Sequence, residues 1–230
     1  MENLSKDTGV PILVGTIIRE EEYSYNAVVK VEPDSGLSRE WYAKQILVPF
    51  GEYVPFPFSS LPGLTKLVGP VGEFTSGKNF YSFSAKSGHD TTIRIIPLVC
   101  YEDIFPGLAS QIEYTSQSLV FVTTNDAWFG EEGCAEQHAA HSVIRALETG
   151  MPFLRCGNAG WSGWISPNGV IREILVNKEG SVYFKGASVL EVEWVPGGVT
   201  FFAKHGNFFV ALCLFFVIFG SYILEMKINK

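Results

Sequence analysis

A chain of 230 residues is long enough to bury one full core, or a core with an appendage, without disulfide or metal staples. Its net charge of −7 and lack of clustered Lys and Arg exclude a nucleic-acid partner. The charged fraction is only 18% and the aromatic fraction 14%, so part of the surface is expected to meet something other than water.

Met1 to Thr8 is polar and runs directly into Pro11 to Ile18, a strand-like apolar stretch; no cationic, apolar signal peptide precedes it. Asn26 to Val31 reads as the next strand, and Glu32-Pro33-Asp34-Ser35-Gly36 as the turn that follows. Trp41 to Phe56 then carries three turn formers, Pro49, Gly51 and Pro55, and only two charges, Lys44 and Glu52. Burying either charge among those apolar neighbours is costly unless it is paired, so the stretch is either a surface loop or a buried ion pair. Pro57 to Gly72, rich in Pro, Gly, Leu and Phe, is more apolar than a water-facing loop requires and reads as a lid or a membrane-touching arm.

Ile93 to Val99 is a compact apolar run, predicted as a buried strand, and Cys100-Tyr101-Glu102-Asp103 stands at its end. The acidic residues that follow predict a helical turn or loop beginning at the cysteine. A thiol there is either an activated nucleophile, its thiolate favoured by the dipole, or a small buried hydrophobe. Gln111 to Ser118 reads as a polar connection, and Leu119 to Thr124 as a second buried strand that releases Asn125-Asp126-Ala127-Trp128-Phe129-Gly130. Two strands of this kind place polar residues where α/β sheets carry their sites.

His138 to Thr149 has apolar residues at helical spacing and is stopped by Gly150-Met151-Pro152. His138 and His141 lack a third ligand at suitable spacing and read as structural, so no metal is expected. Pro152 to Cys156 is a further strand, and the glycine-interrupted turn after it lacks the Lys-Ser or Lys-Thr of a phosphate loop. Ser181 to Phe184 and Val189 to Val195 read as the last sheet strands, and the alternation indicates an α/β sandwich. Of the four cysteines, Cys100, Cys134, Cys156 and Cys213, only Cys134 and Cys156 are candidates for a bridge, should the compartment be oxidising. Phe208 to Leu224 is 17 residues without a charge and is predicted to span a membrane, with residues 1–203 as the domain, 204–226 as the helix and 227–230 as a cytoplasmic tail.

Several of these stretches carry a family likeness. Tyr42-Ala43-Lys44, Leu47-Val48-Pro49-Phe50-Gly51-Glu52-Tyr53-Val54-Pro55, Cys100-Tyr101-Glu102, Thr124 to Gly130, Gln137-His138 and Arg145-Ala146-Leu147-Glu148 closely resemble the apolipoprotein N-acyltransferases of the nitrilase, or carbon-nitrogen hydrolase, superfamily. The match runs in order along nearly the whole chain. Any single piece of it is weak, and the combination is specific.

The resemblance implies a nitrilase-like αββα sandwich, incomplete at the N-terminus and followed by one transmembrane helix, on the periplasmic side of the bacterial inner membrane. It implies a Glu-Lys-Cys triad that needs no cofactor and moves an acyl chain from a phospholipid, through a cysteine thioester, to the α-amino group of an apolipoprotein's diacylglyceryl-cysteine. By motif position Cys100 is the nucleophile, Lys44 the triad lysine and Glu52 a second carboxylate. Tyr101 and Glu102 match residues beside the nucleophile, and Asn125 and Trp128 are expected in the substrate pocket. The family's base glutamate belongs to a strand end upstream of the region matched by Thr8 to Ile18. Glu20, Glu21 and Glu22 follow the wrong strand, in a solvated hairpin, and are not assigned that role.

The likeness thus covers about the C-terminal half of the family. A split gene, a late start codon or a separate N-terminal half as partner each account for that expectation. A carbon-nitrogen amidase and an inactive, membrane-tethered remnant are the competing functions.

Overall fold

The computed structural model describes residues 1–60, 73–86, 91–109, 117–131, 133–193 and 198–228. Two sheets are stacked face to face. The smaller is antiparallel, with β1 (Ile12–Glu20), β2 (Tyr23–Glu32) and β3 (Gly36–Ala43) in that order. The larger runs β4 (Phe83–Lys86), β5 (Thr92–Val99), β6 (Ser118–Asn125), β7 (Phe153–Asn158), β8 (Gly163–Ile165), β9 (Ile171–Ile174). Within it β5, β6 and β7 are parallel and the other pairs antiparallel.

Side-chain alternation explains the layering. Val99 of β5 and Phe121 of β6 face the small sheet, where with Phe83 of β4 they meet Val28 and Tyr42. Ile96, Leu98, Val120 and Val122 point the other way, onto Ala135, Ala139 and Ala146 of the helix Cys134–Thr149. Covered on both faces, β5 and β6 read in the sequence as unbroken apolar runs. The first helix, α1 (Glu2–Thr8), packs against β2 and β3, and its Ser5 hydroxyl donates to the carbonyls of Val10 and Val31. The layers therefore follow the order helix, sheet, sheet, helix. A cavity of about 720 Å³ lies between α1 and Val14, Ile18, Val29, Val31 and Trp41 on the small sheet.

A short α2 (Pro106–Ala109) follows β5, Cys134–Thr149 is α3, and α4 (Phe201–His205) packs on α3. The last element, α5 (Phe208–Ile228), contains a 19-residue stretch, Phe208–Met226, with mean hydropathy 2.3 and none of its surface buried. By length and composition it is able to cross a bilayer.

Some expectations need correction. The polar start is a helix, and α3 begins four residues before His138. Ser181 to Phe184 and residues 189–193 form no strand; residues 194–195 lie outside the described set. The sheet ends at β9, and Val182 and Tyr183 pack against the α3 side of the core instead, held by side-chain contact without a ladder. Val189 is 95% exposed, so the apolar residues of that stretch have no sheet face to cover. Of the expected lid, Phe58–Ser60 forms a turn of 3₁₀ helix and residues 61–72 lie outside the described set, as do 111–116 of the expected polar connection.

Candidate active site

The parallel register brings three strand ends together. Val99 pairs with Thr123 and Asn125 with Asn158, so Cys100, Asp126 and Asn158 emerge at the same edge of the large sheet. Cys100 is half-buried and opens a 3₁₀ turn, Cys100–Ile104, with φ of 51°. A left-handed residue with a side chain costs of order 1 kcal/mol or more and persists only where its surroundings over-determine it.

One set of surroundings comes from the small sheet. Lys44, directly after β3, is 1% exposed, and its Nζ lies 2.8 Å from Glu52 Oε2. Glu52 also accepts from Asn26 Nδ2 at 3.0 Å and from the Val48 amide at 2.8 Å. The lysine backbone is fixed as well: its amide donates to Asn26 O and its carbonyl accepts from the Gly77 amide, each at 2.8 Å. Gly77 has to be glycine, because a Cβ there would stand 2.3 Å from the Ala43 carbonyl oxygen. This is a buried ion pair, with each partner supplied with further bonds as burial demands.

Glu102 ties that sheet to the Cys100 turn. Fully buried, its carboxylate accepts from the amides of Gln45 at 2.6 Å, Ile46 at 3.3 Å and Val99 at 2.7 Å, and from the Tyr42 hydroxyl at 2.9 Å. Burial pushes this carboxyl above its ordinary range, and those bonds pull against the shift. The residues after Lys44 and the residues around Cys100 are thus clamped onto one side chain.

A second ionic cluster lies on the α3 side. Asp103, also fully buried, receives Ser142 Oγ at 2.6 Å, a short bond from Arg155 Nη1, and His138 Nε2 at 3.0 Å. His138 Nδ1 meets Asp126 Oδ1 at 3.0 Å, and its Nε2 is 3.2 Å from the carbonyl oxygen of Cys100 itself. Burial works against the Asp103 carboxylate, yet Arg155 and His138 hold its pKa below the usual range. Burial likewise opposes charge on His138, but Asp103 and Asp126 raise its pKa to about 10. The Cys100 sulfur, an Asp126 oxygen and a His138 nitrogen fall within 4.8 Å of one another. Both ring nitrogens already face carboxylates, so the cluster is built as an ion-pair network.

The remaining expected residues sit at the rim. Tyr101 packs edge-on against Phe105 with centroids 5.0 Å apart, and exposed Asn125 accepts from Asn158 Nδ2 at 2.9 Å. Trp128 is 82% exposed and Phe56 equally so, which leaves an aromatic margin without protein cover. All four cysteines, Cys134 and Cys156 included, are free thiols.

A half-buried thiol on a strained turn, with an ammonium and a carboxylate held at the adjoining sheet end, is equipped for covalent acyl chemistry. Residues 1–190 match the family model described as carbon-nitrogen hydrolase. The chain belongs to that family. Among curated relatives of this carbon-nitrogen hydrolase are an Apolipoprotein N-acyltransferase 2 from Treponema denticola, 28% identical over 96% of this chain, and an Apolipoprotein N-acyltransferase from Geobacter metallireducens, 36% identical over 73% of it. The chain covers 41% and 30% of those two proteins, less than half of either. A solved CN-hydrolase superfamily protein from Xanthomonas campestris superposes with TM-score 0.54 at 18% identity, over 76% of this chain and 61% of that one, a likeness of fold.

Residue-level sequence reading passed over Tyr42, Asn26, Asp103, Asp126, Ser142 and Arg155, and took His138 as structural. A signal existed for one of them. Arg155 is the only charge in the predicted strand Pro152 to Cys156, and a lone charge in a buried run calls for a buried partner.

Proposed function

We propose that this carbon-nitrogen hydrolase is an N-acyltransferase in which Cys100 carries an acyl group as a thioester. The observation that supports it most directly is the clamp at Glu102, which joins the left-handed Cys100 turn to the segment bearing the buried Lys44–Glu52 pair. Around that clamp, the Cys100 sulfur bonds to the carbonyl carbon of a phospholipid ester while the bond to the glycerol oxygen breaks. The departing oxygen takes up a proton and leaves as a lysophospholipid. The Lys44 ammonium, paired with Glu52, stabilises the oxyanion that forms on the carbonyl. The α-amino group of the acceptor, the diacylglyceryl-cysteine of an apolipoprotein, then forms the amide bond as the C–S bond breaks, and the thiol is regenerated.

The exposed aromatic rim of Phe56, Trp128 and Phe129 suits the apolar part of such a donor. The unburied α5 suits a membrane location, with the domain on the periplasmic side of a bacterial inner membrane. The names of the relatives support lipoprotein as the acceptor class.

The test uses membranes containing the full chain, with and without a co-expressed upstream half, and phospholipid labelled in its acyl chain. Hydroxylamine-sensitive label on Cys100, passed on to a diacylglyceryl-cysteine peptide, is expected. Absence of label in both arms overturns the enzyme reading. Release of free acid from short amides without transfer points to an amidase instead.

A further inference from the structure

The mechanism above uses Lys44 and Glu52 and leaves the second ionic cluster without a task, although that cluster touches the nucleophile's backbone more directly. The Cys100 carbonyl oxygen is bonded by a side chain on α3, the Nε2 of His138 at 3.2 Å. That nitrogen is shared with Asp103 Oδ1 at 3.0 Å, and the opposite nitrogen is spent on Asp126 Oδ1 at 3.0 Å. Every one of these partners is an acceptor, so both ring nitrogens must carry hydrogen. A neutral ring, with a single N–H, would leave either Asp126, or Asp103 and the Cys100 carbonyl, facing a lone pair.

The charges around the ring come from each element packed on it. Asp103 and the Cys100 thiol come from the 3₁₀ turn, Asp126 from the end of β6, Arg155 from β7 and the Cys134 thiol from α3 itself. Two cations, His138 and Arg155, stand with two carboxylates, Asp103 and Asp126. What the network fixes is geometry. The backbone at Cys100 is left-handed, and a pinned carbonyl on that residue opposes its relaxation to an ordinary conformation.

We infer that His138 is a positioning residue for the Cys100 nucleophile, its doubly protonated ring holding the Cys100 carbonyl and so the turn that presents the sulfur. The inference rests on Cys100 being the reactive thiol. It predicts which half of the ring matters. Gln at position 138 places an amide near the Nε2 position and keeps the bond to the Cys100 carbonyl, whereas Asn places one near Nδ1 and keeps only the Asp126 side.

The experiment follows carboxamidomethylation of each cysteine in the full chain by iodoacetamide, read by peptide mass spectrometry, with exposed Cys156 as internal reference. For His138→Ala and His138→Asn the Cys100 rate relative to Cys156 is expected to fall by about tenfold or more, and for His138→Gln to stay within about threefold of the parent. In the thioester assay the same order is expected in kcat, with KM for phospholipid unchanged. Equal effects of Asn and Gln, an unchanged ratio in the alanine variant, or a Gln variant that does not fold would overturn the inference. Where only the alanine variant fails to fold, the Gln and Asn pair decides. A parent chain that forms no thioester but keeps the order Gln above Asn in alkylation removes the acyl-transfer reading and leaves the positioning role standing.

Discussion

Cys100 stands between two ionic assemblies that differ in how many partners converge on one group. On the small-sheet side, Lys44 has one carboxylate partner among the described residues, so two of its three ammonium hydrogens are left over from that bond. On the α3 side, Asp103 takes up bonds from Ser142, Arg155 and His138, and both nitrogens of His138 face carboxylates. Closeness to the nucleophile is therefore a poor guide to role. The cation with a single carboxylate partner is the one suited to meet a charge that develops during reaction, and the network converging on Asp103 is suited to hold shape, although Arg155 Nε and Nη2 and Asp126 Oδ2 are buried there without a partner among the described residues.

The largest expected effect tests the centre of that contrast: Cys100→Ala should remove essentially all acyl label, measured as hydroxylamine-sensitive counts, while the thermal unfolding midpoint stays close to the parent's. Next, Lys44→Met should lower the rate of thioester formation by roughly a hundredfold or more and cost about 3 kcal/mol in urea, because Glu52 loses its cation. On the α3 side, Arg155→Met should cost a similar 3 to 5 kcal/mol by the same measurement, since Asp103 is fully buried and would keep His138 as its one cation among the described residues. An unchanged urea midpoint there would break the distinction between the two assemblies.

The pH response should be gentler. A pKa raised from 6.5 to about 10 means the His138 contribution to stability is complete below pH 6.5 and is lost as pH rises toward 10. The urea midpoint should fall from pH 6.5 to 9.5, and His138→Gln should flatten that slope. Smallest of all, Trp128→Ala should change stability by less than about 0.5 kcal/mol, its side chain being 82% exposed, while weakening use of phospholipid in the transfer assay.

Strands buried on both faces declare themselves as apolar runs, which is why β5, β6 and the cysteine at the end of β5 were legible. Four-residue strands such as β4 and β9 hold too few alternations to be read, and Ser181 to Phe184 has strand-forming residues whose Val182 and Tyr183 pack on the core without pairing to a strand. Lys44, Glu52 and Glu102 were flagged by the family resemblance, but the work of Glu102 was not foreseeable, because it accepts backbone amides and these leave no mark in side-chain pattern. The α3 network draws one residue or two from each of four separate segments, so no spacing rule announces it.

The bonds that Glu102 receives from Tyr42, Gln45 and Ile46 span 56 to 60 residues of chain. Contacts of that span pay their loop-closure entropy before they return anything, so they form late. The segment after Lys44 and the Cys100 turn are therefore expected to be joined only once the two sheets have docked. On the proposed mechanism, a half-made chain carries a thiol but not yet a reagent, and the chemistry is expected to switch on late in folding.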